Sequence, residues 1–147
     1  PHLPIRMVEH ARRAQTFAER LSESGVTVGY PGLADHPDHG LFRRIGRPEY
    51  GFGGLLTIDA GSRQKAEALM DDLQNTEGFG FMAVSLGYFD TLMSCSASST
   101  SSEMTDDALT KAGISPGLLR MSIGFTGSLE QRWDQLARAL KRIGLTS

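Results

Sequence analysis

Apolar positions recur every three or four residues through "IRMVEHARRAQTFAERLSESG", where Met7, His10, Ala14, Phe17 and Leu21 share one face. That period predicts an amphipathic helix, and Gly25 is placed to end it. The pattern then shortens. "VTVGY" (26–30) is a β-branched strand stopped by Pro31 and Gly32, and 31–51 reads as a long ordered loop. "LLTIDA" (55–60) predicts a second strand. "SRQKAEALMDDLQN" predicts a helix with Ala66, Leu69, Met70 and Leu73 on one side and Ser62 as its N-cap.

"FGFMAVSLG" (79–87) reads as a third strand, too apolar to face water on either side. A serine-rich stretch follows, then a short helix around 105–112, with Asp106 and Asp107 favouring its positive end. "LLRMSIGF" (118–125) is the fourth strand. In the last helix Leu129, Trp133, Leu136, Leu140 and Ile143 line one face, Ser128 and Gln131 form a capping pair, and Gly144 stops it. Strands and helices do not alternate strictly, so a doubly wound parallel sheet fits less well than an α+β arrangement. The expected class is α+β: a small mixed or antiparallel sheet of about four strands with helices on one face.

Length and composition narrow this to one domain, at 147 residues with 39% apolar and 22% charged side chains. Fifteen basic and seventeen acidic residues are dispersed along the chain, which argues against nucleic acid or an anionic membrane as partner. Cys95 is alone, so no internal disulfide forms, and a cytoplasmic setting is expected. No apolar run is long enough to span a membrane. The chain begins at Pro1 and enters helical sequence almost at once, as a piece of something longer would.

Few residues offer chemistry. Arg120 interrupts an apolar strand; alternation puts it with Leu118 and Ser122, opposite the core set Leu119, Met121, Ile123 and Phe125. Either it is solvated and pairs loosely with a carboxylate, or it is a partly enclosed fork for an incoming carboxylate or phosphate. His36 and His39 lack the third ligand that a metal needs, and contacts to backbone are expected instead. "GFGG" (51–54) precedes a strand rather than a helix, which points to a bulge or close packing and not to a phosphate loop. "SCSASSTSSEM" (94–104) is either a flexible linker or a supply of hydroxyl donors beside a strand end. Its Cys95 has no His or Lys neighbour to activate it.

Taken in order, "YPGLADHPDH" (30–39), "GFGGLLTID" (51–59), "FMAVSLGYFDTL" (81–92), "SSTSSEM" (98–104) and "AGISPGLLRMSIGF" (112–125) form a recognisable set of five segments. The chain resembles the C-terminal domain of the pyridoxal-phosphate enzymes of cysteine and methionine metabolism, which include cystathionine γ-synthase, the cystathionine lyases and methionine γ-lyase. It is most like the methionine γ-lyase-type members.

The resemblance implies that 1–147 is a single substrate-carboxylate domain whose large cofactor-binding domain is absent. It also implies that Arg120 forks the substrate α-carboxylate, that Ser85 helps hold it, and that Thr100 is a hydroxyl lining the site. Holding the carboxylate selects which substrate bond stands perpendicular to the pyridoxal ring. None of Lys65, Lys111 and Lys141 stands in the family's Ser-x-x-Lys context, so no catalytic or cofactor-binding residue is expected here, and the fragment alone should be inactive. The implied parent is a homotetrameric carbon–sulfur lyase that converts methionine to methanethiol, 2-oxobutyrate and ammonia. Alternatives are a transsulfuration enzyme of the cystathionine type, a free-standing amino-acid-binding module and a structural dimerisation domain.

Overall fold

The computed structural model describes residues 2–99 and 103–147. Its elements are α1 (Leu3–Glu23), β1 (Thr27–Gly29), α2 (His39–Ile45), β2 (Leu55–Asp59), α3 (Arg63–Asp71), β3 (Gly80–Met82), β4 (Thr91–Cys95), α4 (Asp106–Lys111), β5 (Leu118–Ser122) and α5 (Leu129–Ile143). The five strands form one sheet in the order β1-β2-β5-β4-β3. All neighbours are antiparallel except β3 and β4. The α+β class expected from the pattern is the class observed.

Strand alternation sets the two faces. Met121 pairs with Leu56 and Met93, and Leu119 with Ile58 and Cys95, so these six side chains share the inner face. They join Phe17 and Leu21 of α1, Leu69 of α3 and Leu136 and Leu140 of α5 in one core. The final helix is capped as its sequence implies: Gln131 N donates to Ser128 Oγ at 3.1 Å, and Gly144 takes the left-handed conformation at φ 75°. Replacing Ser128 by Ala should lower stability by about 1 kcal/mol, read as a shift in urea midpoint at constant slope.

Three expectations are corrected. The strand expected over 79–87 ends at Met82, and its apolar side chains do not avoid water: Phe81, Met82, Val84 and Leu86 are all exposed. A fifth strand, β4, occupies Thr91–Cys95, where no strand was expected and whose last two residues open the serine-rich stretch 94–104. All five of its residues are buried, which leaves no polar–apolar alternation to reveal it. The 31–51 loop contains α2, whose residues are at most half-buried and so carry no core-facing stripe.

The parallel pairing of β3 with β4 has a topological consequence. Two parallel neighbours cannot be joined by a tight hairpin, so the chain must travel back the length of the strand before entering β4. Residues 83–90 make that return. Their far end is fixed where Asp90 accepts from Thr126 Oγ1 at 2.8 Å and pairs with Arg132 at 3.3 Å. Gly124 is required at this point. A Cβ there would lie 2.4 Å from the carbonyl carbon of Asp90 and 2.6 Å from Phe89 O, so no side chain fits.

Glu77 sits between Arg138 at 2.6 Å and Arg142, and Arg142 also reaches Asp72 at 2.7 Å. The Arg138 guanidinium, with Arg142 behind it, holds the Glu77 carboxyl below its ordinary value. Depression in the folded state means that the pairing stabilises above the ordinary carboxylate range and is lost as pH falls through it. Urea midpoints should therefore fall from about pH 5 downward, and Glu77→Gln should flatten that acid limb.

Candidate functional site

The outer face of the sheet carries Arg120 at its centre. Thr57 lies opposite it on β2 and Ser94 on β4, while Leu118 and Ser122 flank it along β5. Arg120 is half-buried rather than freely solvated. The 83–90 return passes nearby, and Arg120 Nη2 donates to Val84 O at 3.1 Å and to Ser85 O at 3.4 Å. Its Nε is buried without a partner, and among the described residues no partner engages Nη1.

The missing carboxylate stands out against the rest of the chain. Among the described residues six arginines are buried or half-buried: Arg6, Arg13, Arg20, Arg63, Arg120 and Arg132. Arg13, Arg20, Arg63 and Arg132 each pair with a carboxylate. Arg6 and Arg120 bond only to backbone carbonyls. Carbonyl oxygens satisfy donors but cancel no charge, so a partly desolvated guanidinium held this way retains affinity for an anion.

Ser85 is exposed on the return segment and borders a hollow of about 410 Å³ lined by Phe81, Ala83, Tyr88 and Leu92. Its carbonyl faces Arg120 Nη2, so the structure brings Ser85 and Arg120 together. Thr100 lies outside the described residues. The base of the serine-rich segment is held by Arg63, which donates to Ala97 O at 2.8 Å and pairs with Asp106 at 2.7 Å. Nothing in the sequence pattern marked Arg63 for this role, because its partners lie 34 and 43 residues away.

The remaining candidates resolve into structure. His39 Nδ1 bonds to Pro31 O at 2.8 Å, and His36 Nδ1 accepts from Asp38 N at 3.1 Å, the backbone contacts expected of them. Among the described residues, no group of three His, Cys, Asp or Glu side chains is arranged to hold a metal. "GFGG" is a close-packed segment: Tyr30, fully buried, donates to Gly53 O at 2.8 Å, and burial pushes its phenol pKa up. Cys95 is buried on the inner face opposite Leu119. Among the described residues no helix is long and apolar enough to cross a membrane.

An α+β domain with a half-buried arginine at the centre of the outer sheet face, paired with no carboxylate among the described residues, is the class these observations define. Residues 2–141 match the family described as Cys/Met metabolism PLP-dependent enzyme, and the chain belongs to that family. It is 56% identical over 143 residues to methionine gamma-lyase of Arabidopsis thaliana, covering 97% of this chain and 32% of that protein. It is 30% identical over 135 residues to cystathionine gamma-lyase of Bacillus subtilis, covering 92% of this chain and 33% of that protein. Among solved structures, cystathionine gamma synthase from Xanthomonas oryzae pv. oryzae in complex with aminoacrylate and cysteine matches with a TM-score of 0.82 at 35% identity. That match covers 99% of this chain and 36% of the other. The chain thus spans about a third of the length of these relatives.

The family is pyridoxal-phosphate-dependent, and among the described residues no lysine is enclosed as that cofactor's attachment requires. Covalent attachment needs an enclosed amine, whereas Lys65, Lys111 and Lys141 are exposed on α3, α4 and α5. None of them stands on the strand or the return segment that carries Arg120 and Ser85.

Proposed function

We propose that residues 1–147 form the substrate-carboxylate domain of a pyridoxal-phosphate-dependent carbon–sulfur lyase of methionine γ-lyase type. Such an enzyme converts methionine to methanethiol, 2-oxobutyrate and ammonia. The observation that carries this reading is Arg120: half-buried, central on the outer face, and bonded among the described residues to carbonyls instead of a carboxylate. The substrate α-carboxylate supplies the missing counter-charge through the end of the guanidinium fork, and Ser85 adds a hydroxyl beside it. Thr100 is the third proposed contact. In this reading the cofactor and its lysine belong to the part of the relatives' length that the chain does not span, and the chain on its own is inactive. The assembled enzyme is a cytoplasmic homotetramer.

Likeness to a methionine gamma-lyase at 56% identity favours methionine over cystathionine as substrate. Likeness at 30% and 35% to a cystathionine lyase and a synthase keeps the transsulfuration reaction as the second reading. Assaying the full-length enzyme with methionine, cystathionine and cysteine decides between them. Methanethiol release from methionine at the highest kcat/KM supports the first reading, and preference for cystathionine replaces it with the second.

A further inference from the structure

We infer that Arg6 is a positioning residue for the carboxylate site, acting through the 84–87 segment. The inference rests on the carboxylate reading of Arg120. Arg6 Nη2 donates to Gly87 O at 2.6 Å, its Nε is buried, and its guanidinium lies 5.7 Å from the centre of the Phe125 ring. Gly87 is held from its other side as well, where its N–H donates to Ser122 Oγ at 2.9 Å. Ser122 lies two residues beyond Arg120 on the same face of β5. A φ of 70° at Gly87 makes this a point where a side chain would be strained.

The segment depends on these polar bonds because it has little apolar anchorage. Val84 is 64% exposed and Leu86 49% exposed, so neither packs into the core. Between Ala83 and Asp90, Arg120 holds the carbonyls of residues 84 and 85, and Arg6 with Ser122 holds residue 87. The same two arginines that pair with no carboxylate among the described residues thus grip one four-residue segment from opposite ends.

Arg6 is itself fixed by register on α1. His10, one turn on, bonds through Nδ1 to Ile123 O, and Arg13, nearly a further turn on, donates to Thr126 O at 2.9 Å and Gly127 O at 2.7 Å. Residues 6, 10 and 13 therefore clamp the chain that leaves β5, and Arg6 extends the clamp to Gly87. Removing Arg6 releases the segment at Gly87, and with it the carbonyls that aim Arg120 and the place of Ser85.

The test uses the full-length enzyme and two unreactive probes that differ by a carboxylate: L-norleucine, a methionine isostere, and pentylamine, the same skeleton without the acid group. Binding is read by calorimetry, with melting temperature alongside. Arg6→Met should weaken norleucine about tenfold and leave pentylamine within about twofold, with Arg6→Lys intermediate. Ser122→Ala, which loosens the same glycine without removing a charge, should weaken norleucine in the same direction and serves if Arg6→Met does not fold. Equal weakening of both probes, or unchanged norleucine binding in a folded Arg6→Met or Ser122→Ala enzyme, overturns the inference. If Arg120→Ala weakens norleucine while those variants do not, only the role of Arg6 falls. If Arg120→Ala also leaves norleucine unchanged, the carboxylate reading falls with it.

Discussion

Arg120→Ala in the full-length enzyme should lower kcat/KM for methionine by roughly 30- to 150-fold, the kinetic equivalent of about 2–3 kcal/mol for a charge-assisted fork. The same substitution should move the melting temperature little. Arg120 makes two carbonyl bonds at 3.1 and 3.4 Å and among the described residues pairs with no carboxylate, so its removal also removes an electrostatic cost. Arg120→Lys keeps the charge and loses the fork, and should recover only part of the activity. Loss of stability with unchanged kinetics would assign Arg120 to the fold rather than to the substrate.

Phe17→Ala should have the largest effect on folding, about 3–5 kcal/mol. Phe17 is 1% exposed in the middle of α1, with ring centres 6.3 Å from Phe79 and 5.9 Å from Trp133. It therefore ties α1 both to α5 and to the segment that leads into β3. Small domains are stable by about 5–15 kcal/mol in total, so a cavity here removes a large share. Equilibrium unfolding in urea measures it directly. A loss under 1 kcal/mol would mean that α1 repacks against its neighbours without this ring.

How much of this was legible in the sequence depends on how local each determinant is. Helices α1, α3 and α5 were readable because each shows a single apolar stripe with a stop or a cap beside it. Strand β5 was readable because Leu119, Met121 and Ile123 alternate with Leu118, Arg120 and Ser122. Strand β4 was not, because its neighbours cover both of its faces and no alternation remains. The extent of β3 was misread for a related reason: Val84 and Leu86 are apolar, yet they lie on an exposed connection.

The site divides in the same way. Periodicity alone placed Arg120 on the face away from the core, and the ordered set of motifs marked it as a carboxylate fork. Neither showed that 83–90 returns past it, that Val84 and Ser85 present carbonyls to it, or that Arg6 and Ser122 fix Gly87. Those contacts join residues separated by 35, 36 and 81 positions. The α+β class, the inner and outer faces of β5, the three long helices and the family resemblance were all readable before any fold was known, because they follow from short-range periodicity or from ordered motifs. The strand order, the return of 83–90 towards Arg120 and, among the described residues, the lack of a carboxylate beside it come from tertiary packing. The physical reason is that pairing between distant strands, and the backbone bonds it leaves for side chains to satisfy, leave no periodic trace along the chain.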